Sequence, residues 1–178
     1  PDAPDGSDGR WRWLMKDMDY GFGLTASFRH NTLEFATYAE GQGLPNPWWS
    51  TLLFRKMLGN PGYRVSFINR FGDLLNTTFL PARLTSVITK LKEQIQAEMP
   101  NHISRWSSPS SPAAWNGHVS TMIDFVTNRA DHQRQHIVEQ FNLGGMRKLV
   151  VNITGAEMGY VRVNSIPVRE PTAGVTSY

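Results

Sequence analysis

The chain has 178 residues, 40% of them hydrophobic and 19% charged, with a formal net charge of +3 at pH 7. That balance suits a globular domain of ordinary size with part of a second, and it excludes a disordered chain. The 18 Lys and Arg are scattered, which argues against nucleic acid as a partner, and the absence of Cys excludes disulfides and thiolate zinc sites. No apolar run approaches the roughly 18 residues needed to span a bilayer, so no membrane span is expected. The polar start Pro1-Asp2-Ala3-Pro4-Asp5-Gly6-Ser7-Asp8-Gly9 carries no signal-peptide pattern and no initiating Met, and the chain reads as a piece excised from a longer one.

In chain order, residues 10–15 alternate weakly with Trp11 and Trp13 on one face, which predicts a short strand after the Gly6–Gly9 turn. Gly21 and Gly23 then permit a sharp change of direction. Leu33, Phe35, Ala36 and Tyr38 fit a short helix or a strand, and Gly41, Gly43, Pro45 and Pro47 a loop. A helix is expected from Trp48 to Leu58, stopped by Gly59-Asn60-Pro61. Tyr63, Phe67, Phe71, Leu74 and Leu75 recur at helical steps on a second helix. A third opens at Pro81 with the stripe Leu84, Val87, Ile88, Leu91 and Ile95, and Pro100 breaks it before Ile103 and Trp106. Ser111 is placed to cap a fourth helix opening at Pro112, with Trp115, Val119, Met122, Ile123 and Val126 buried. A last turn or two carries Ile137 and Phe141 and ends at Gly144-Gly145. The period then becomes two: Leu149, Val151 and Ile153 are expected to pair with Val161 and Val163 across a Gly155–Gly159 turn. The fold class is mainly α (α+β), with helices between a short N-terminal strand or hairpin and a C-terminal hairpin; residues 1–143 form one unit, and 144–178 are a hairpin segment or the start of a β module.

Asp17 and Asp19 stand two apart, so on an extended segment both carboxylates leave the same side. Adjacent carboxylates raise each other's proton affinity unless a cation lies between them. Mg²⁺ suits such a pair, since it takes one or two carboxylates together with phosphate oxygens and waters. The same residues also fit two carboxylates solvated in a turn or capping the next helix.

Three blocks act together. Trp11-Arg12-Trp13-Leu14-Met15-Lys16-Asp17-Met18-Asp19-Tyr20-Gly21-Phe22-Gly23 is the first. Trp49-Ser50-Thr51-Leu52-Leu53-Phe54-Arg55-Lys56-Met57-Leu58 with Phe67-Ile68-Asn69-Arg70-Phe71-Gly72-Asp73-Leu74-Leu75-Asn76-Thr77-Thr78-Phe79 is the second, and Glu98-Met99-Pro100-Asn101-His102-Ile103-Ser104-Arg105-Trp106 the third. In order and spacing they resemble the later part of a domain of the CotH family of kinase-like proteins (spore coat protein H-like), over about residues 10–143. The resemblance implies an atypical protein-kinase-like fold that uses ATP and Mg²⁺ to phosphorylate Ser or Thr of proteins. It implies Asp17 and Asp19 as metal ligands and Trp11 as the adenine platform, with Trp13, on the same strand face, as the alternative. Ordinary sheet packing is the competing reading of both Trp.

The family's nucleotide lobe, its phosphate-contacting Lys and its catalytic Asp are expected upstream, as a missing N-terminal lobe of the same chain. No catalytic residue is therefore assigned here, and the fragment alone is expected to be inactive. Lys16 would point to the opposite face of the strand. A capping Ser is frequent in the family before the Pro that opens the third helix; Leu80 stands there instead, leaving Thr78 to cap or the end to fray. The resemblance also implies a location outside the cell or at its surface, and with it the alternative of a non-catalytic surface or spore-coat module. His132 and His136 share a helix face near Glu139, but polar neighbours favour hydrogen bonding over metal. Arg55, Arg70 and Arg105 fit phosphate or peptide binding, against salt bridges or snorkelling stems. No nucleophile elbow, P-loop or dinucleotide fingerprint occurs.

Overall fold

A computed structural model describes residues 18–40, 43, 46–151, 153, 159–168 and 176–177. Prolines and short polar side chains set the helix starts. Helix α1 (Thr32–Thr37) is capped by Asn31, whose Oδ1 accepts the Glu34 N–H at 3.0 Å. The turn over Trp48–Thr51 leads into α2 (Leu52–Leu58), later than the expected start at Trp48. Helices α3 (Pro61–Leu75), α4 (Pro81–Ile95) and α6 (Pro112–Gln140) each open on proline, whose missing N–H would lack an intrahelical acceptor there anyway. Asn60 and Ser111 cap α3 and α6, accepting the N–H of Tyr63 and of Ala114, both at 3.0 Å. Pro100 sits in the first turn of α5 (Met99–Trp106), so it opens a new helix after the break that follows α4.

Two expectations about the helices are corrected. The fourth helix and the turns carrying Ile137 form one 29-residue rod, α6, because Ala130, Gln133 and His136 are buried and carry its inner face through a polar stretch. Its end is set before Gly144. Asn142 adopts a left-handed φ of 49°, its N–H donates to Glu139 O at 3.3 Å, and the Leu143 N–H donates to Val138 O at 3.0 Å. That pattern is a Schellman motif with Asn as the left-handed residue.

Helix α6 packs against α1, α3, α4 and α5. Leu33, Leu75, Ala130 and Ile137 form the buried core, with Phe54, Phe67, Ile68, Phe71 and Phe141 around it. Phe67 touches four rings, Phe54, Phe71, Phe141 and Tyr63, at centroid distances of 5.3, 5.6, 6.0 and 6.5 Å, Phe71 and Phe141 edge-on and Tyr63 stacked. The α4 stripe is only partly core: Ile88 is buried, whereas Val87, Leu91 and Ile95 are exposed. Lys92, one turn on from Ile88, lies over the ring of Trp115, so α6 covers the row of α4 that carries Ile88 and Lys92 and leaves the Val87, Leu91 and Ile95 row exposed.

The C-terminal hairpin is present, in a different register from the one expected. It is β2 (Val161–Val163) with β3 (Ile166–Val168), closed by Asn164-Ser165 with Asn164 at φ 47°, and β1 (Lys148–Leu149) pairs with β4 (Thr176–Ser177). A two-residue turn with a left-handed Asn matches strand twist, which favours this closure over the longer Gly-bounded one. Asp73 of α3, 2% exposed, accepts the Ser165 N–H at 2.9 Å and the Ser165 hydroxyl, and Arg70 Nη1 donates to Ser165 Oγ at 3.1 Å. The hairpin turn is thereby fastened to the helices. Among the described residues no helix is long and apolar enough to cross a membrane.

Candidate active site

Trp11, Trp13 and Asp17, with the strand expected over residues 10–15, lie outside the described residues. The backbone of Asp19 is in a single 3₁₀ turn, Met18–Tyr20, and not in a strand. The residues just after it are fixed by backbone hydrogen bonds and by contacts with α6. The N–H groups of Gly21 and Leu24 donate to the carbonyls of Met18 and Gly21, both at 3.2 Å. Phe22 takes φ 54° and Gly23 φ 91°. A Cβ on Gly23 would lie 3.3 Å from Thr121 Cγ2 and 3.5 Å from Phe125. Glycine is thus favoured twice over, for the left-handed backbone and for the close approach to α6. The Phe22 ring meets Phe125 at 6.1 Å between centroids, the second point of attachment.

Between this turn and the N-terminal half of α6 is a cleft of about 560 Å³, lined by Met18, Gly21, Leu24, His118, Thr121 and Met122 among others. On its inner side an apolar cavity of about 200 Å³ is bounded by Phe22, Phe71, Phe79, Phe125 and Arg129. Phe22 faces both spaces, so a shift of the acidic turn would be felt in the core.

Arg129 fixes the next stretch of chain. Its Nη1 donates to the carbonyls of Phe28 and His30 at 2.7 and 2.6 Å, and its Nη2 to Thr32 Oγ1 and Gln133 Oε1 at 3.1 and 2.8 Å. All these acceptors are neutral, and burial lowers the Arg129 pKa from its ordinary value. Arg134 plays a similar part, donating to Leu75 O and Asn76 Oδ1 as well as pairing with Asp131. One turn on from His132, His136 is buried, with Nδ1 lacking a hydrogen-bond partner. Its pKa is lowered by burial first and by Arg129 second, against Glu139 and Glu34, which raise it. Among the described residues no group of three or more His, Cys, Asp or Glu could hold a metal.

Sequence reasoning did not single out Arg129. The only signal was its spacing to Gln133, an i,i+4 polar pair inside a stretch with no apolar period. Asp73 carries no local signal of its own in the sequence, yet it is the buried carboxylate that secures the hairpin.

Comparison with curated proteins and with solved structures gave no match. A family model described as CotH kinase protein matches residues 4–132, well over half of the chain and inclusive of the acidic segment, the Gly23 turn and the α6 surface that receives it. The chain belongs to the CotH kinase family.

Proposed function

We propose that this chain supplies the metal side of an ATP site in a protein kinase that phosphorylates Ser or Thr, with Asp17 and Asp19 as Mg²⁺ ligands and Trp11 as the adenine platform. The observation that carries the reading is the family match across these residues, taken with the pinning of the chain just after Asp19 onto α6. Phosphoryl transfer depends on positioning and on neutralising charge at the phosphates, so carboxylates followed directly by a fixed turn suit it. Two carboxylates two residues apart fit the donor set of Mg²⁺, which completes its shell with waters and phosphate oxygens. Bound Mg-ATP would supply the phosphoryl group with its charge already screened. The roles of the chain are then to hold the cation at Asp17 and Asp19, to stack the base on Trp11 (Trp13 being the alternative), and to leave the cleft beside Met18 and His118 for the acceptor. No Lys of this chain is assigned to the phosphates and no residue to the catalytic base, so the chain alone is expected to transfer phosphate poorly. The family resemblance supports a place outside the cell or on its surface.

The test is labelling of protein by γ-³²P-ATP with Mg²⁺, using the full-length gene product and its Asp17→Asn variant. Labelling by the wild type and a loss of about a hundredfold in the variant is expected. Absence of labelling with every divalent metal tried sinks the kinase reading. It leaves the second one, a surface-binding module, which the exposed Trp48, Trp49 and Leu53 at the start of α2 favour.

A further inference from the structure

A second cleft lies at the other end of α6. It has a volume of about 260 Å³, and Thr37, Arg55, Leu58, Arg64, Gln140 and Phe141 line it, with no acidic side chain in its wall. Arg55 comes from the last turn of α2 and Arg64 from the first turn of α3, so the short α2–α3 connection brings two arginine side chains into the wall of one cleft.

Arg55 is fixed in place without being neutralised. Its Nη1 donates to Thr51 Oγ1 at 2.7 Å and its Nη2 to Trp48 O at 2.9 Å, both uncharged acceptors. Among the described residues no carboxylate pairs with Arg64, which is exposed. Two like charges facing one cleft repel, and an anion that bridges them relieves the repulsion. The planar donor fork of Arg64 matches phosphate oxygens two at a time, while Arg55, whose two Nη groups already hold neutral acceptors, adds its charge, and a phosphomonoester carries close to two negative charges at neutral pH, enough to offset both. Leu58 and Phe141 add an apolar wall that a free inorganic ion would not use.

We propose that this cleft binds a phosphomonoester carried on a protein segment, with Arg55 and Arg64 on the phosphate and Leu58 and Phe141 against the neighbouring residues. The site is separate from the acidic turn and does not depend on the chain transferring phosphate itself.

The experiment is fluorescence anisotropy of the chain with a short phosphoserine peptide flanked by Leu, alongside the same peptide unphosphorylated and with inorganic phosphate as competitor. The phosphopeptide is expected to bind at least about tenfold tighter than its unphosphorylated form, with affinity falling as salt rises. Arg64→Gln, at an exposed position where folding is unaffected, is expected to weaken binding about tenfold, and Arg64→Lys to retain part of it. Arg55→Gln is expected to weaken it as well, with circular dichroism checking that the turn before α2 persists. Equal affinity for the two peptides overturns the proposal, as does an unchanged affinity in Arg64→Gln. Inorganic phosphate competing at the phosphopeptide's own affinity also overturns it, since the cleft would then take small anions with no protein segment.

Discussion

At the scale of single residues, position 23 combines a left-handed backbone with a close approach to α6. A methyl group there would need a left-handed backbone at φ 91° and would stand 3.3 Å from Thr121. Gly23→Ala is therefore expected to destabilise the fold by about 1–2 kcal/mol. Urea unfolding should show a lower midpoint at unchanged slope; an unaltered midpoint would mean that the turn is free to move away from α6. His136 gives a pH-dependent counterpart. Its folded pKa lies below the ordinary 6.5, so on acidification the unfolded chain takes up the proton first. Its contribution to stability is intact above pH 6.5 and is lost as pH falls through that value toward the folded pKa. Unfolding midpoints between about pH 8 and 5 should fall more steeply for the wild type than for His136→Gln, and parallel curves would assign the loss to other groups. The carboxylate pair stood out in the sequence because its chemistry is local. Arg129 did not, because its acceptors are carbonyls about 100 positions earlier, and nothing beside it in the chain announces them.

At the scale of elements, helix starts were most legible at Pro81 and Pro112, which act through their own missing N–H, whereas Pro61, read as part of the stop after the preceding helix, opens α3. Helix ends and partners were less so. The polar run between Val126 and Ile137 hides a continuous helix because its inner side chains are buried by neighbours remote in sequence. The α4 stripe is apolar throughout, but only the position of α6 decides which of its members are covered. The start of α4 offers a direct test. Leu80 occupies its N-cap without a side-chain hydrogen bond, Thr78 does not cap in its place, and Arg83 instead donates to Thr78 O at 2.9 Å. Leu80 is 41% exposed, so replacing it removes little packing. Leu80→Ser is expected to stabilise by about 0.5–1 kcal/mol, seen as a rise of a few degrees in Tm. A fall in Tm would show that the Leu80 side chain matters more than the vacant cap.

At the scale of the whole molecule, the hairpin and the helices meet at Asp73. The hairpin itself was legible from its period of two, but its register was not, since Asn164-Ser165 is chosen partly by a carboxylate 92 residues earlier. Asp73→Ala is expected to cost about 3 kcal/mol by leaving the Ser165 donors without their charged acceptor. Hydrogen exchange should show loss of protection over 161–168 in that variant, and Ser165→Ala a smaller loss. Protection unchanged in Asp73→Ala would mean that the hairpin is held by its own strand pairing.

The 29-residue α6 has one further consequence. An α-helix rises about 1.5 Å per residue, so Thr121 beside the acidic turn and Gln140 at the arginine cleft stand about 28 Å apart along one rigid rod. An extended polypeptide covers at most about 3.3–3.6 Å per residue. A strand touching both ends must therefore carry about eight residues or more between its two points of contact, which makes α6 a ruler for the spacing of paired features in any chain lying along it.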